Sequence, residues 1–417
     1  MANYFTLLFL VALGISVAIR LWLARRHAQC IRLHRDAVPV DFATRIPLAA
    51  HQKAADYTLA KIAAGRIALI VETALLLALT LGGGLASIAA FWHARADGLW
   101  YGLALIFSAL ALSSLVDLPL ALWRQFVLEA RFGFNRMTAR LFCIDLLKGA
   151  VLGIAIGGPV IAVVLWLMDA MGKAWWLYVW LFWCTFNLLV LFVYPTWIAP
   201  LFNKFSPLQP GDVRSRVEAL LARCGFSSGG LFVMDGSKRS AHGNAYFTGF
   251  GRMKRIVFFD TLLAQLQPAE IEAVLAHELG HFHHRHVAKR IVLMFALTLA
   301  FLAALGLLID APWFYAGLGA PITADRDTAL ALLLFFLAAP VFTFLFTPLG
   351  SMLSRRHEFE ADRYAAANAS ADDLVHALVK LYEDNAATLT PDPLHSLFYD
   401  SHPPAAIRIA RLQTARA

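Results

Sequence analysis

Charge is scarce in this chain. Asp, Glu, Lys and Arg together make up 15% of its 417 residues, where a soluble domain carries about 25%. Hydrophobic residues reach 59% and the mean hydropathy is +0.63. The shortfall argues against a soluble globular domain and for an integral membrane protein. Cysteine is also sparse. Cys30, Cys143, Cys184 and Cys224 lie far apart with no CxxC pair, which argues against a disulfide framework and a thiolate metal site. They read as free thiols on a reducing face or within spans. Lysine is rare beside arginine, and the net charge is +8. The basic residues flank apolar runs, so the charge reads as the bias of membrane loops, with no nucleic-acid partner.

A helix needs about 20 mostly apolar residues to cross a bilayer. Seven stretches qualify, at about 4–24, 67–92, 99–122, 149–168, 174–193, 291–309 and 328–350. The first lacks the basic start and small-x-small cleavage site of a signal peptide, so it counts as a helix. The stretch 25–66 carries Arg25, Arg26, Arg32, Arg35, Arg45, Lys53 and Lys61, and 123–148 carries Arg124, Arg131, Arg136, Arg140 and Lys148. The alternate short loops hold only Arg95, Lys173 and Arg326. The positive-inside rule then puts the N-terminus outside and the basic stretches in the cytoplasm. Seven spans bring 194–290 and 351–417 to that same cytoplasmic side.

The expected organisation has four parts. Residues 1–193 form a membrane region of five spans. Residues 194–290 form a cytoplasmic α/β segment, 291–350 add two spans, and 351–417 form cytoplasmic helices. Within the second part, Val213–Cys224 has amphipathic periodicity and is stopped by Gly225. Leu231–Met234, Ala245–Phe247 and Arg255–Phe259 read as short strands, the last two joined through Gly249 and Gly251 as a hairpin. Pro268 opens a helix carrying HELGH, expected to run on into the span at 291. The tail reads as helical with breaks around Thr390–Pro393 and at Pro403–Pro404.

HELGH at 277–281 fits the pattern HExxH. Residues four apart share a helix face, so the His277 and His281 imidazoles can meet one metal ion. Glu278 projects beside them as a general base. A catalytic zinc ion needs a third protein ligand. The position six after His281 is Val287, which excludes the three-histidine variant of the motif. His283, His284 and His286 fall off the ligand phase and read as juxtamembrane polar residues. The alternative is that they influence metal loading. Downstream, Glu358 and Asp362 stand four apart, as a ligand and a carboxylate orienting a ligating histidine would. Glu360 is the rival ligand. Without HELGH, the same residues would read as a charged helix making pairs with Arg355, Arg356 and Arg363. Glu72, Asp117 and Asn187 lie inside spans, where a chamber lining and a helix-packing bond fit equally well.

HELGH followed, after a span, by EFEAD at 358–362 resembles the type I CAAX prenyl protease family of membrane zinc metallopeptidases. So do FVLEARFGFNRMT at 126–138, YPTWIAPLFNKFSPL at 194–208, HGNAYFTGFGRMKRIVFFDTLL at 242–263 and SHPPAAIRI at 401–409. The resemblance implies a mainly α membrane protein, with seven helices around an intramembrane chamber and a small cytoplasmic α/β zinc metalloprotease domain. It implies removal of the C-terminal tripeptide of a CAAX-type, prenylated protein. Carried over by position, His277, His281 and Glu358 hold one zinc ion per chain, Glu278 is the base and Asp362 stands behind the ligands. His402 and Arg408 would contact substrate or steady the developing oxyanion. The competing reading of these two is an ordinary helix start after Pro403–Pro404. Asn244, Ala245 and Tyr246 read as an edge strand to which an extended peptide can pair. The runner-up activity is a broad-specificity membrane quality-control metalloprotease. A metal-binding channel without catalysis is disfavoured by the intact Glu278. The arginine excess suggests a GC-rich genome and so a bacterial inner membrane, where prenylated substrates can be absent. A eukaryotic source would mean the endoplasmic reticulum membrane, although the terminal Ala-Arg-Ala is no dibasic retrieval signal.

Overall fold

The computed structural model describes residues 1–248, 255–322 and 326–414. Among them, seven helical stretches are long and apolar enough to cross a membrane: Ala2–His34, Leu48–Leu79, Gly98–Arg131, Ala139–Ala170, Gly172–Phe202, His286–Leu308 and Thr328–Asn368. Their outer faces expose Leu7, Val11, Leu147, Ile154, Leu189 and Leu297. In water such a surface would drive aggregation, whereas against lipid tails it carries no penalty. Their inner faces bury Phe9, Leu105, Met168, Trp175, Leu305 and Leu334 in one apolar cluster. The chain is thus a multi-pass membrane protein.

The seven expected spans are present, with two differences in their limits. The stretch 67–92 is two helices, Leu48–Leu79 and Gly84–His93. Thr80 leaves helical backbone and Gly83 turns at φ +74°, a left-handed conformation open to glycine. The basic stretches are mostly helix rather than loop. The first helix continues to His34 and the third span runs through a π-helical turn, Arg124–Leu128, to Arg131. A helix that outruns the bilayer becomes polar, so its composition alone cannot be told from that of a loop.

A four-stranded sheet sits beside a second apolar cluster. Its strands are β1 (Phe205–Pro207), β2 (Leu231–Met234), β3 (Ala245–Thr248) and β4 (Arg255–Phe259), in the order β1-β2-β4-β3. β2 and β4 are parallel, and the outer pairs are antiparallel. β1 was not expected, since three residues ending in Pro carry no alternation to read. β3 and β4 pair in the register Ala245↔Phe258, as the hairpin reading requires. Its turn at 249–254 lies outside the described residues. The second cluster includes Phe258, Ile271, Leu275, Leu279, Leu378 and Ile409. The amphipathic helix, observed as Asp212–Arg223, adds Val217, Leu220 and Leu221, and ends before Gly225 at φ +62°.

Two of the separated motifs meet where the sheet docks on the membrane helices. Asn135 bridges to Ser240, and the His242 ring stacks on Phe134 with centroids 4.3 Å apart. Tyr57 donates from its hydroxyl to Glu129 Oε1 at 2.6 Å. These contacts tie His242, three residues before β3, to the second span.

Candidate metal centre

The HELGH helix, Pro268–His283, starts from a capping box. Gln267 N–H donates to Glu270 Oε2 at 2.7 Å, Pro268 fills the first turn, and Lys380 pairs with Glu270 at 2.7 Å. The helix packs along Thr347–Asn368, the helix carrying Glu358. Gly280 makes the packing close. A Cβ there would stand 2.8 Å from Ala361 Cα and 3.1 Å from Ala361 O. Only glycine lets the two backbones approach this far, which explains the residue just before His281 on steric grounds.

This approach brings three side chains to one point. His277 Nε2 lies 3.3 Å from Glu358 Oε2, and His281 Nε2 lies 3.4 Å from Glu358 Oε1. One ligand atom from each of the three lies within 4.8 Å of the others. Glu358 is 2% exposed, and its Oε2 makes no hydrogen bond. A buried carboxylate oxygen left unpaired is costly unless a cation satisfies it. Two imidazoles and a carboxylate converging on that oxygen fit a divalent metal ion with an open coordination position. Glu358, and not Glu360, is therefore the third member of the group.

The outer nitrogen of His277 is held from behind. Nδ1 lies 2.8 Å from Asp362 Oδ1. Arg408 grips the same carboxylate with Nη2 at 2.6 Å and Nε at 2.9 Å. All three are buried. Burial opposes a charge on His277, but the hydrogen bond to Asp362 and the nearby Glu358 carboxylate outweigh it and raise its pKa to about 9. In the metal-free chain a proton thus takes the cation's place.

The remaining expected residues separate. Glu278 is half-buried on the HELGH helix, near enough to His402 for its charge to act on that ring. His402 Nε2 lies 3.6 Å from Glu358 Oε1 and opens onto a cavity. Desolvation there lowers its pKa below the ordinary histidine value, although Glu358 pulls the other way. Arg408 is buried behind Asp362, which it grips, and its Nη2 also lies 3.4 Å from His277 Nδ1. Asn244 precedes β3, and Ala245 and Tyr246 lie on it, at the free edge of the sheet. The Phe247 ring packs on Phe282 of the HELGH helix with centroids 4.9 Å apart, so that edge runs beside the HELGH helix.

The cavity encloses about 700 Å³. Its lining runs from His402 and Pro404 to Arg20, Lys61 and Glu72 on the first two spans. Glu72 is thereby a cavity residue. Asn187, by contrast, donates to Trp183 O within its own helix at 2.7 Å.

The sequence reading named His286 and Glu360 but not the contact that joins them to His281. His286 Nδ1 lies 3.0 Å from His281 Nδ1, and His286 Nε2 lies 2.9 Å from Glu360 Oε2. The phase argument assumed one continuous helix from Pro268 into the membrane. Instead the helix ends at His283, Arg285 adopts φ +56°, and a new helix begins at His286. The short spacing of five residues from His281 was the available signal.

Comparison with known proteins agrees with this geometry. Residues 27–204 match the family profile described as "CAAX prenyl protease N-terminal, five membrane helices", and residues 207–416 match "Peptidase family M48". The CAAX prenyl protease 1 of Saccharomyces cerevisiae is 36% identical over 315 residues, covering 72% of this chain and 70% of the relative. The CAAX prenyl protease 1 homolog of Arabidopsis thaliana is 37% identical over 299 residues, covering 71% and 70%. The human homolog is 33% identical over 358 residues, covering 75% and 74%. The crystal structure of S. mikatae Ste24p superposes with a TM-score of 0.89 at 30% identity, covering 98% of this chain and 99% of that one. Membership and geometry point the same way: the chain is a membrane metalloendopeptidase belonging to the type I CAAX prenyl protease family, within peptidase family M48.

Proposed function

We propose that this chain is a zinc-dependent endopeptidase that removes the C-terminal tripeptide of CAAX-type, prenylated proteins. The observation that carries the proposal is the meeting of His277, His281 and Glu358 beside His402, which lines a cavity that reaches into the membrane half. His277, His281 and Glu358 would hold one zinc ion, which, when bound, polarises the scissile carbonyl and makes water acidic enough to ionise near neutral pH. Glu278 takes the proton of the attacking water and delivers it to the departing amine. His402, neutral at physiological pH, donates a hydrogen bond to the oxygen on which negative charge develops. Arg408 acts through Asp362 and His277 as a positioning residue rather than on the substrate.

The substrate chain pairs with the edge of β3, at Asn244, Ala245 and Tyr246, and crosses the metal into the cavity. Three cations line that cavity, Arg20, Lys61 and Arg66, against two carboxylates, Glu72 and Asp400. A tripeptide released from a C-terminus carries a free carboxylate, and these cations suit it. Residues 1–193 and 291–350 form the membrane region, and 194–290 and 351–417 form the peptidase part. The arginine excess favours a bacterial inner membrane, and the basic flanks favour a site toward the cytoplasm.

The test is to incubate the purified protein with a farnesylated CAAX peptide and its unprenylated twin, with and without a zinc chelator. Chelator-sensitive release of the tripeptide from the farnesylated peptide is expected. Equal turnover of both peptides would leave a broad-specificity protease. Chelator-insensitive turnover would refute the metal mechanism.

A further inference from the structure

His277 and His281 lie one turn apart on the same helix, yet they are held by different kinds of partner. His277 has a carboxylate, Asp362, at its outer nitrogen. His281 has a second imidazole. His281 Nδ1 lies 3.0 Å from His286 Nδ1, and His286 Nε2 lies 2.9 Å from Glu360 Oε2. Glu360 also accepts from Arg356 Nε at 3.2 Å.

The protons in this chain of bonds can be assigned. His281 turns Nε2 toward Glu358, so the proton of its neutral ring sits on Nδ1. His286 must then accept at Nδ1 and carry its own proton on Nε2, which it donates to Glu360. Each bond has one donor and one acceptor, and with neutral rings no other arrangement satisfies both. His286 is 1% exposed, and its ring lies face to face on His357, with centroids 3.9 Å apart and planes 12° off parallel. The ring is therefore locked in place, as a ligand's partner needs to be.

The backbone shows how this contact is reached. Among the described residues only Arg285 and Ala386 adopt positive φ without being glycine. Arg285 lies at φ +56°, ψ +34°, a left-handed conformation that L-residues adopt seldom. It ends the ligand helix and starts the span His286–Leu308. That turn brings the first residue of the span back against His281.

We propose that His286 and Glu360 are positioning residues for the metal ligand His281, and that through them the metal centre is fastened to the span His286–Leu308. This rests on the reading that His277, His281 and Glu358 hold zinc. The relay selects the Nδ1–H tautomer of His281 and fixes its ring plane without placing a second full charge beside the ring.

The experiment uses the full-length, zinc-loaded protein and follows zinc release into a colorimetric chelator. His286→Phe can still stack on His357 but cannot accept from His281. It should release zinc 10- to 100-fold faster than wild type. His286→Gln retains an acceptor toward His281 and a donor toward Glu360, so its release should stay within a few-fold of wild type. A role confined to packing would give the reverse order, because Phe fills the space and Gln does not stack. A folded His286→Phe protein with wild-type release, or a folded His286→Gln protein releasing as fast as a His281→Ala control, overturns the proposal. Should His286→Phe fail to fold, Glu360→Ala supplies the same reading, with accelerated release expected and unchanged release contradicting it. A wild-type chain that takes up no zinc would refute the metal assignment itself, which is a distinguishable result.

Discussion

The metal centre and the cavity beside it use charge in opposite ways. Around the metal the polar groups are tied at short range. Arg408 holds Asp362, Asp362 holds His277, and Glu360 holds His286. In the cavity the cations rest on aromatic rings. Arg20 lies over the Phe344 ring at 4.4 Å and Lys61 over the Tyr57 ring at 4.2 Å. Arg20 Nε is buried and makes no hydrogen bond among the described residues. A buried charge persists only when compensated, and compensation fixes geometry. A charge left over an aromatic face stays available to a ligand. The first arrangement makes a rigid site, and the second makes a receptive one.

The difference can be broken most severely at Glu358. Glu358→Ala removes the carboxylate that, among the described residues, faces both imidazoles, so metal analysis should find the zinc lost and turnover abolished. Full zinc occupancy in that variant would show that the third ligand lies elsewhere. Next in size is Arg408→Ala, which leaves Asp362 buried without its cation. The expected cost is about 3–5 kcal/mol of stability, read by thermal or chemical unfolding. A loss below about 1 kcal/mol would mean the pair is not holding the site.

Gly280→Ala tests the close approach of the two helices. The new Cβ meets the Ala361 backbone, which cannot move as a side-chain tip can. A destabilisation of about 1–3 kcal/mol is expected, with weaker zinc binding. Unchanged zinc affinity would separate helix packing from ligand geometry.

The raised pKa of His277 gives a smaller effect. In metal-free protein the protonated form contributes stability that is fully present below the unfolded value of about 6.5 and is lost as pH rises through about 9. The melting temperature of zinc-free protein should therefore fall between pH 6.5 and 9. Zinc-loaded protein should not share this fall, because the metal replaces the proton. Parallel profiles with and without zinc would contradict the assignment.

The smallest effect is expected on the cavity side. Lys61→Gln should leave zinc content unchanged and raise KM a few-fold for a peptide ending in a free carboxylate. The corresponding C-terminal amide should be unaffected. Equal changes for both peptides would remove the cavity cations from substrate recognition.

The spans and the convergence of His277, His281 and Glu358 were legible for a common reason: both rest on local patterns. Apolar length marks the spans, and HELGH with EFEAD marks polar side chains one turn apart on each of two helices. Gly280 was visible as a letter, but its role depends on Ala361, 81 positions later, and no spacing rule connects them. His286 was set aside because a continuous helix would point it away. The left-handed residue at Arg285 reverses that, and arginine carries no mark of left-handed backbone. Arg408 was expected near the substrate and is observed behind Asp362, since sequence shows which groups converge but not their depth. A chamber was anticipated from the family resemblance, and of the three polar residues placed inside spans, Glu72, Asp117 and Asn187, Glu72 lines the cavity.

The most direct test of the central claim is zinc content and peptide turnover measured on one preparation of Glu278→Ala. The expected result is one zinc ion per chain, as in wild type, with turnover of the farnesylated peptide lowered by about 10²–10⁴-fold. Wild-type turnover in a fully zinc-loaded Glu278→Ala protein would contradict it, because proton transfer would then be done by another group.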